Sequence, residues 1–304
     1  MTSVVIAAHN EATVIGRCLD ALLADDVAGD FDVTVVPNGC TDATAAIAAS
    51  RGVRVVELGQ ASKAAALNAG DKIAVGFPRI YLDADIVVST AGARALSQLV
   101  DIAVDGTPTI HAAVPVRALN LKGRPLPVRA YFAINNRLPV FQNGLFGRGM
   151  IAVSEVGRSR FDQFPDMMAD DLFLDSLFTD PEKACADGVV TTVAAPLRTR
   201  DLMRRLVRVR RGNAAMRTAG SEGRLTIVVR PSDRMSWLRD VVRPNPRLAP
   251  AGLLYFGISV VAALLARRSP EDDTTWQRDE STRTGLETGS ALGPGTTQHD
   301  AARP

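Results

Sequence analysis

Two pairs of carboxylates stand out by type and spacing. Asp83 and Asp85 interrupt the apolar run Ile80-Tyr81-Leu82-Asp83-Ala84-Asp85-Ile86-Val87-Val88, and Asp170-Asp171 follow Met167-Met168-Ala169. The first run reads as a buried strand. Two acids at its end carry a desolvation cost. A hard divalent cation such as Mg²⁺ or Mn²⁺ would offset it, because such ions take carboxylate oxygens. In the turn leaving a strand, Asp83 and Asp85 can both face one ion. The competing reading makes Asp85 a cap of the following turn and leaves Asp83 solvated. The second pair opens a helix pattern, where the helix dipole favours acids without any chemistry being required.

The cations are clustered. Arg198, Arg200, Arg204, Arg205, Arg208, Arg210 and Arg211 fall within one segment, although the net charge of the chain is only +2. Arg204, Arg208 and Arg211 stand at i, i+4 and i+7, so one helix face could grip phosphate. A solvated basic face, a nucleic-acid patch or an anionic membrane surface would use the same residues. Aromatic residues do not interleave the cluster, which argues against single-strand binding; no nucleic-acid partner is expected. Cys18, Cys40 and Cys185 are odd in number and scattered, which fits a reducing compartment and no disulfide framework. His9, His111 and His299 lie far apart, so a structural zinc site is not expected.

The elements that must position these groups follow a regular rhythm. Strand patterns at 4–8, 33–36, 53–58 and 80–82 alternate with helix patterns at 11–23, 43–50 and 63–75, the last capped by Ser62. This order predicts an α/β fold with a doubly wound, mostly parallel sheet flanked by helices. Ligands in such sheets sit outside the carboxyl ends of the strands. The polar turns His9-Asn10-Glu11, Asn38 to Asp42 and Asp83 to Asp85 all fall there. A dinucleotide-dependent oxidoreductase would need Gly-x-Gly-x-x-Gly after the first strand, and this chain lacks it. Further on, helices are expected at 90–104 and 126–138, strands at 109–116, 150–153 and 188–195, and a helix from 167. A glycine-rich approach, Asn143-Gly144-Leu145-Phe146-Gly147-Arg148-Gly149, precedes the strand at 150. A linker with Gly220, Gly223, Pro231, Pro244 and Pro246 leads to residues 248–266, uncharged and bounded by Arg247 and Arg267-Arg268. That length approaches the roughly 20 residues that span a bilayer, and insertion or docking is favoured over a buried helix. Residues 269–304 lack apolar periodicity and are expected to be disordered. The expected division is therefore a catalytic domain at 1–215, a linker and membrane-associated helix at 216–268, and a polar tail at 269–304.

Taken together the motifs resemble the family 2 glycosyltransferases, nucleotide-sugar enzymes of the GT-A fold, over roughly residues 3–212. Val5-Ile6-Ala7-Ala8-His9-Asn10-Glu11 is similar to the family's opening strand and turn. Val35-Val36-Pro37-Asn38-Gly39-Cys40-Thr41-Asp42 is similar to its second-strand motif, with Pro37-Asn38 in place of an acid pair. Lys63 and Asn68 match a Gly-Lys-x-x-Ala-x-Asn-x-Gly segment, in which Ser62 replaces the first glycine. Asp83-Ala84-Asp85 matches Asp-x-Asp, and Asp170-Asp171 matches the acid pair that supplies the base. The segment 204–211 is similar to an Arg/Gln-x-x-Arg-Trp region without its tryptophan, which argues against a processive polysaccharide synthase.

The resemblance implies an inverting, metal-assisted transfer of a sugar from a nucleoside-diphosphate sugar to a hydroxyl acceptor. Asp171 would act as catalytic base with Asp170 in support. Asp85, with Asp83, would hold Mg²⁺ or Mn²⁺. Ala8, Asn10, Glu11, Asn38, Asp42, Lys63, Asp83, Arg204, Arg208 and Arg211 would contact the donor, Asn38 through a base edge and Lys63 and the arginines through the pyrophosphate. Residues 119–148, with Asn135-Asn136 and Gln142-Asn143, are expected on the acceptor side. The apolar helix makes a lipid-linked or cell-envelope acceptor and a site on the cytoplasmic face of the membrane plausible. The alternatives are a membrane-anchored nucleotide-sugar-binding protein with a decayed site and a sugar-phosphate nucleotidyltransferase. The latter would carry a glycine-rich loop with arginine and lysine after the first strand, where this chain has His9-Asn10-Glu11.

Overall fold

The computed structural model describes residues 1–268 apart from 27–28, 102, 105–106 and 109; the expected tail at 269–304 lies outside the described residues. In chain order the elements that matter here are β1 (Thr2–Ala8), α1 (Ile15–Leu23), β2 (Phe31–Pro37), α2 (Thr44–Ala49), β3 (Arg54–Val55), α3 (Lys63–Ile73), β4 (Arg79–Leu82) and α4 (Thr90–Asp101). A short ladder of β5 (Ala103–Val104) and β6 (Thr107–Pro108) follows, then β7 (Ala112–Asn120), α5 (Leu126–Asn135), α6 (Pro139–Asn143), β8 (Met150–Val153), α7 (Glu155–Arg158) and α8 (Asp170–Ser176). The chain continues through β9 (Lys183–Ala194) and α9 (Thr199–Ser221) to α10 (Ala249–Arg268).

Seven strands form one sheet in the order β3-β2-β1-β4-β8-β7-β9. Only β8 runs against its neighbours, pairing antiparallel with β4 and with β7, so the sheet is mostly parallel as expected. Every residue of β1 is buried. Its side chains alternate between two cores, as the two-residue strand period requires. Val4, Ile6 and Ala8 face Ile15, Cys18, Leu19 and Leu22 of α1 and Ala93, Leu96 and Val100 of α4. Val5 and Ala7 face Ala64 and Leu67 of α3, together with Phe164, Leu172 and Phe173. Each such fully buried aliphatic or aromatic side chain contributes about 1.5–3 kcal/mol. The result is a three-layer sandwich with both sheet faces covered.

Some boundaries differ from expectation for local reasons. The first helix starts at Ile15 rather than 11, because Asn10 takes φ 52° and the Glu11 carbonyl closes a turn onto the Val14 and Ile15 amides. β9 begins at Lys183, five residues before the apolar pattern, because the Lys183 ammonium pairs with the buried Asp175 carboxylate at 3.1 Å. The packing onto the sheet continues past residue 215. α9 continues to Ser221, and Leu225, Ile227 and Val229 then pack back onto the second core. Arg230 pins that return to Asp175 at 3.0 Å. α10 is joined to the domain as well. Leu248, Ala251, Tyr255 and Ile258 pack against α5, α9 and the turn around Trp237, and the Tyr131 and Tyr255 rings stack 5.0 Å apart. Its other face leaves Leu253, Phe256, Val261 and Leu264 exposed.

Asp71, on α3, ties the helix to the sheet through buried charge. Its carboxylate pairs with Arg79 of β4, accepts from Arg158 Nε at 2.8 Å and accepts from the Tyr81 hydroxyl at 2.9 Å. Burial beside this carboxylate raises the Tyr81 pKa well above its usual value. Removing one partner of a buried pair strands the other charge, at a cost of about 3–5 kcal/mol. Asp71→Ala is therefore expected to lower unfolding free energy by about that amount, read from the urea midpoint of the full chain.

Candidate active site

The carboxyl ends of β1, β2 and β4 meet at one rim of the sheet, and the polar turns expected there are brought together. Between β1 and β2 the contacts are dense. Asn10 Oδ1 accepts from the Thr41 amide at 2.7 Å, the Glu11 amide donates to Thr44 Oγ1 at 2.7 Å, and the Ala12 amide donates to Asp42 Oδ2 at 3.1 Å. Asp42 also accepts from the Thr44 amide and hydroxyl, so it organises the entry to α2. His9 Nδ1 lies 2.6 Å from the Asn38 carbonyl oxygen.

Asn38, expected at a base edge, is turned into the sheet. Its side chain is wholly buried. Both amide hydrogens are committed, to the Ala8 carbonyl at 2.9 Å and the Val36 carbonyl at 3.2 Å, and its Oδ1 accepts from the Ser62 amide at 3.1 Å. It therefore fastens β1, β2 and the start of α3. The Ala8 carbonyl is likewise occupied, by the Asn38 amide and side chain.

α3 then joins the two acid pairs. Ser62 caps it by accepting from the Ala65 amide at 3.2 Å. From its first turn, Lys63 Nζ reaches Asp83 Oδ1 at 2.9 Å and Asp170 Oδ2 at 2.8 Å. Desolvation pulls the ammonium pKa down, but the Asp170 and Asp83 carboxylates outweigh it and hold the pKa above its ordinary value. Lys63 thus neutralises carboxylates of both pairs. One turn further, Asn68 exchanges two hydrogen bonds with the backbone of Phe164, at 3.0 and 2.8 Å. That clamp fixes the loop leading to Asp170.

The Asp83–Asp85 turn is shaped by Gly149. The Asp83 amide donates to the Gly149 carbonyl at 2.8 Å. Gly149 has φ +70°, and a β-carbon there would collide with the Ile86 side chain, so only glycine lets the two loops meet. Asp85 is exposed. Asp83, Asp85 and Glu11 surround the buried Cys18 closely enough that, after burial itself, their charges push its thiol up to about 12. Among the described residues no group of three or more His, Cys, Asp or Glu converges as a complete metal cage. Two carboxylate oxygens on one turn form a hard, incomplete donor set, which suits Mg²⁺ or Mn²⁺ shared with a phosphate ligand.

Asp171 sits differently from Asp170. Its Oδ1 accepts from the Leu172 amide at 2.8 Å and its Oδ2 from the Gly147 amide at 3.3 Å. Burial first, then the neighbouring Asp170 charge, push its carboxyl up to about 6, against the opposing pull of Lys63. The residue before the pair, Ala169, holds φ 88°, a strained conformation for a side-chain-bearing residue, and such strain is typical of functional turns. α9 leans on this turn: a β-carbon on Gly212 would approach Met168 Cβ to 3.0 Å. Arg208, one turn before Gly212, and Arg211 are partly buried along this side, whereas Arg204 points to solvent with its nearest carboxylate, Asp201, at 3.7 Å. Arg117 and Arg148, which sequence reasoning did not single out, lie next to this centre. Arg148 is buried and holds the loop before β8 through the Pro115, Phe141 and Gln142 carbonyls at 2.9, 2.6 and 3.2 Å. Apart from the Cys185 thiol, its bonds go to backbone oxygens, which leave no side-chain pattern to read.

Residues 3–137 match the family model described as glycosyl transferase family 2. No curated protein sequence shows a significant match. Among solved structures, the chain is similar to the mannosyltransferase PcManGT from Pyrobaculum calidifontis, solved with GDP-Man and Mn²⁺. The TM-score is 0.56 at 20% identity, over 88% of this chain and 76% of that one. It is also similar to glucosyl-3-phosphoglycerate synthase from Mycobacterium tuberculosis, solved with Mn²⁺, UDP and phosphoglyceric acid, with a TM-score of 0.51 at 18% identity over 72% and 78% of the two chains. At these identities the likeness is one of fold, and it covers more of the chain than the 3–137 match does. The first sheet strands therefore carry the match to the glycosyl transferase family 2 model, and the chain as a whole shares the Rossmann-like GT-A fold of these solved glycosyltransferases.

Proposed function

We propose that this enzyme moves a sugar from a nucleoside-diphosphate sugar to a hydroxyl acceptor in one inverting displacement. The observation that carries the reading is the Lys63 bridge, which brings the Asp83–Asp85 turn and the Asp170–Asp171 turn to one ammonium. Asp85, with Asp83, would hold Mg²⁺ or Mn²⁺, and a bound divalent ion neutralises the charge that grows on the departing diphosphate. Both solved neighbours described above were captured with Mn²⁺, which supports this assignment. Asn10, Glu11 and Asp42 would line the nucleoside, and Arg208 with Arg211 would add positive charge near the leaving group.

On the other side, the acceptor oxygen attacks the anomeric carbon as the bond to diphosphate breaks, and its proton passes to the Asp171 carboxylate. A base with a pKa near 6 is matched to this task near neutral pH. The Gly147 and Leu172 amides hold its two oxygens in place. Asp170, locked on Lys63, orients the ammonium and keeps the Asp171 pKa high. Below pH 6 Asp171 is protonated and cannot accept, so kcat/KM for sugar transfer is expected to fall as pH drops through about 6. Asp171→Asn is expected to lower kcat by roughly 10²–10⁴-fold while nucleoside-diphosphate affinity stays within about twofold. Diphosphate release assayed across a nucleotide-sugar panel, with calorimetry for binding, reads both. Transfer by the variant at the wild-type rate would remove Asp171 from the chemistry.

The acceptor reading is a membrane-associated one. The 23 residues Pro246–Arg268 include a helix long and apolar enough to cross a bilayer, and only 11% of its most apolar stretch is buried. The packing of Ala251, Tyr255 and Ile258 onto α5 and α9 supports docking over spanning, because a spanning α10 would carry the arginine-rich α9 into hydrocarbon. An anionic bilayer is the surface that fits, with Arg129, Arg137, Arg243 and Arg247 exposed near one end of the helix and Arg267-Arg268 at the other. Each arginine near such a surface contributes about 1 kcal/mol. The three free cysteines agree with placement on the cytoplasmic face. The full chain is expected to float with phosphatidylglycerol vesicles and not with phosphatidylcholine alone. Leu253→Glu with Phe256→Glu is expected to cut the floated fraction at least tenfold; equal flotation would exclude α10 as the docking element.

A further inference from the structure

Arg117 of β7 lies beside the proposed acceptor side of the site, and its surroundings are incomplete. Its Nη2 donates to Asn136 Oδ1 at 2.8 Å and Asn135 Oδ1 at 3.2 Å, and its guanidinium covers the Phe141 ring at 4.6 Å. It passes Gly147 so closely that a β-carbon there would lie 3.3 Å from Nη1. Gly147 is the residue whose amide binds Asp171. Two further guanidiniums, those of Arg148 and Arg205, lie near enough for their charges to act on Arg117. Among the described residues, the acceptors that these three arginines use are all neutral. They are the amide oxygens of Asn135 and Asn136, backbone carbonyls including Pro115, Phe141 and Ala194, and the Cys185 thiol. Burial, with the charges of Arg148 and Arg205, lowers the Arg117 pKa to about 10.

A half-buried cation among cations, satisfied only by neutral groups, is costly unless an anion completes it. The donor diphosphate belongs to a different part of the rim. The 147–149 loop divides the two: Gly149 meets Asp83 on the donor side, and Gly147 meets Asp171 and Arg117 on the other. We propose that Arg117, backed by Arg205, binds an anionic group of the acceptor, a phosphate ester next to the hydroxyl that attacks. Arginine suits this role because its planar fork matches phosphate oxygens. The asparagine amides aim the fork, and Arg148 stiffens the loop beneath it. Asn136 also lines a groove of about 560 Å³ between α5 and the start of α10, with Leu126, Ala133, Pro250 and Leu254. An acyl or isoprenoid chain would fit there, so the phosphate could belong to a lipid or to a soluble ester. This assignment rests on the glycosyl-transfer reading, because that reading defines which side is the acceptor's.

The test uses the full chain with the donor site filled by saturating nucleoside diphosphate and Mg²⁺, titrated calorimetrically with inorganic phosphate, with glycerol 1-phosphate and with phosphatidic acid in detergent micelles. At least one probe is expected to bind saturably to the wild type. Its affinity is expected to fall at least tenfold in Arg117→Gln and less than fivefold in Arg117→Lys. Arg205→Gln, on the partly exposed face of α9, is expected to weaken it at least threefold and guards against a fold defect in the first variant. Nucleoside-diphosphate affinity should stay within twofold throughout. Binding of all three probes identifies a soluble phosphate ester, and binding of phosphatidic acid alone identifies a lipid headgroup; both support the site. Absence of saturable binding by any probe, or equal binding in Arg117→Gln, overturns it. Failure of the nucleoside diphosphate itself to bind would instead overturn the glycosyl-transfer reading.

Discussion

The site depends on one ammonium group. Lys63 holds Asp83 and Asp170 together, although these carboxylates come from turns far apart in the chain and would otherwise repel each other. Its position is set from below. Asn38 fastens the ends of β1 and β2 and binds the Ser62 amide, Ser62 caps α3, and α3 presents Lys63 from its first turn. Asn68 repeats the connection one turn later by clamping Phe164. A buried amide in the parallel part of the sheet is thus linked, through one helix start, to the meeting of the two acid turns.

Much of this was legible in the sequence. The alternation of strand and helix patterns gave the parallel sheet, because both strand faces are buried and the polar turns fall at carboxyl ends. The acid pairs were visible because carboxylates at the end of an apolar run conflict with their surroundings. Position in a motif was a poorer guide to contact. Asn38 stands where a base-reading acid pair is common, yet the sheet encloses it. Lys63 was expected on phosphate, yet two carboxylates claim it first. Arg117 and Arg148 carried no signal, because their partners are backbone carbonyls and amides contributed by β7, the end of α5 and the loop before β8. The start of β9 and the return of residues 225–230 to the core were hidden for a related reason: both are fixed by ion pairs to the buried Asp175, not by apolar periodicity.

The arrangement also distributes charge by task. Acids gather where a metal and a leaving diphosphate would be held, and Arg117, Arg148 and Arg205 gather across the 147–149 loop where an acceptor would enter. Asp171 lies between them, buried enough to be weakly acidic and held by two backbone amides that fix its direction. α10 packs on α5 and α9 and keeps an apolar outer face, so on the proposed reading the same helix would bring the site to a lipid surface.

The central claim is that Lys63 couples the two acid turns and tunes the base. Titration of the Asp171 side-chain carboxyl by ¹³C NMR, in the wild type and in Lys63→Met, tests it most directly. The account predicts a midpoint near 6 in the wild type and a distinctly higher midpoint in the variant, because the nearby positive charge that favours the carboxylate is gone. A wild-type midpoint in the ordinary carboxylate range near 4, or one that does not move when Lys63 is replaced, would contradict it.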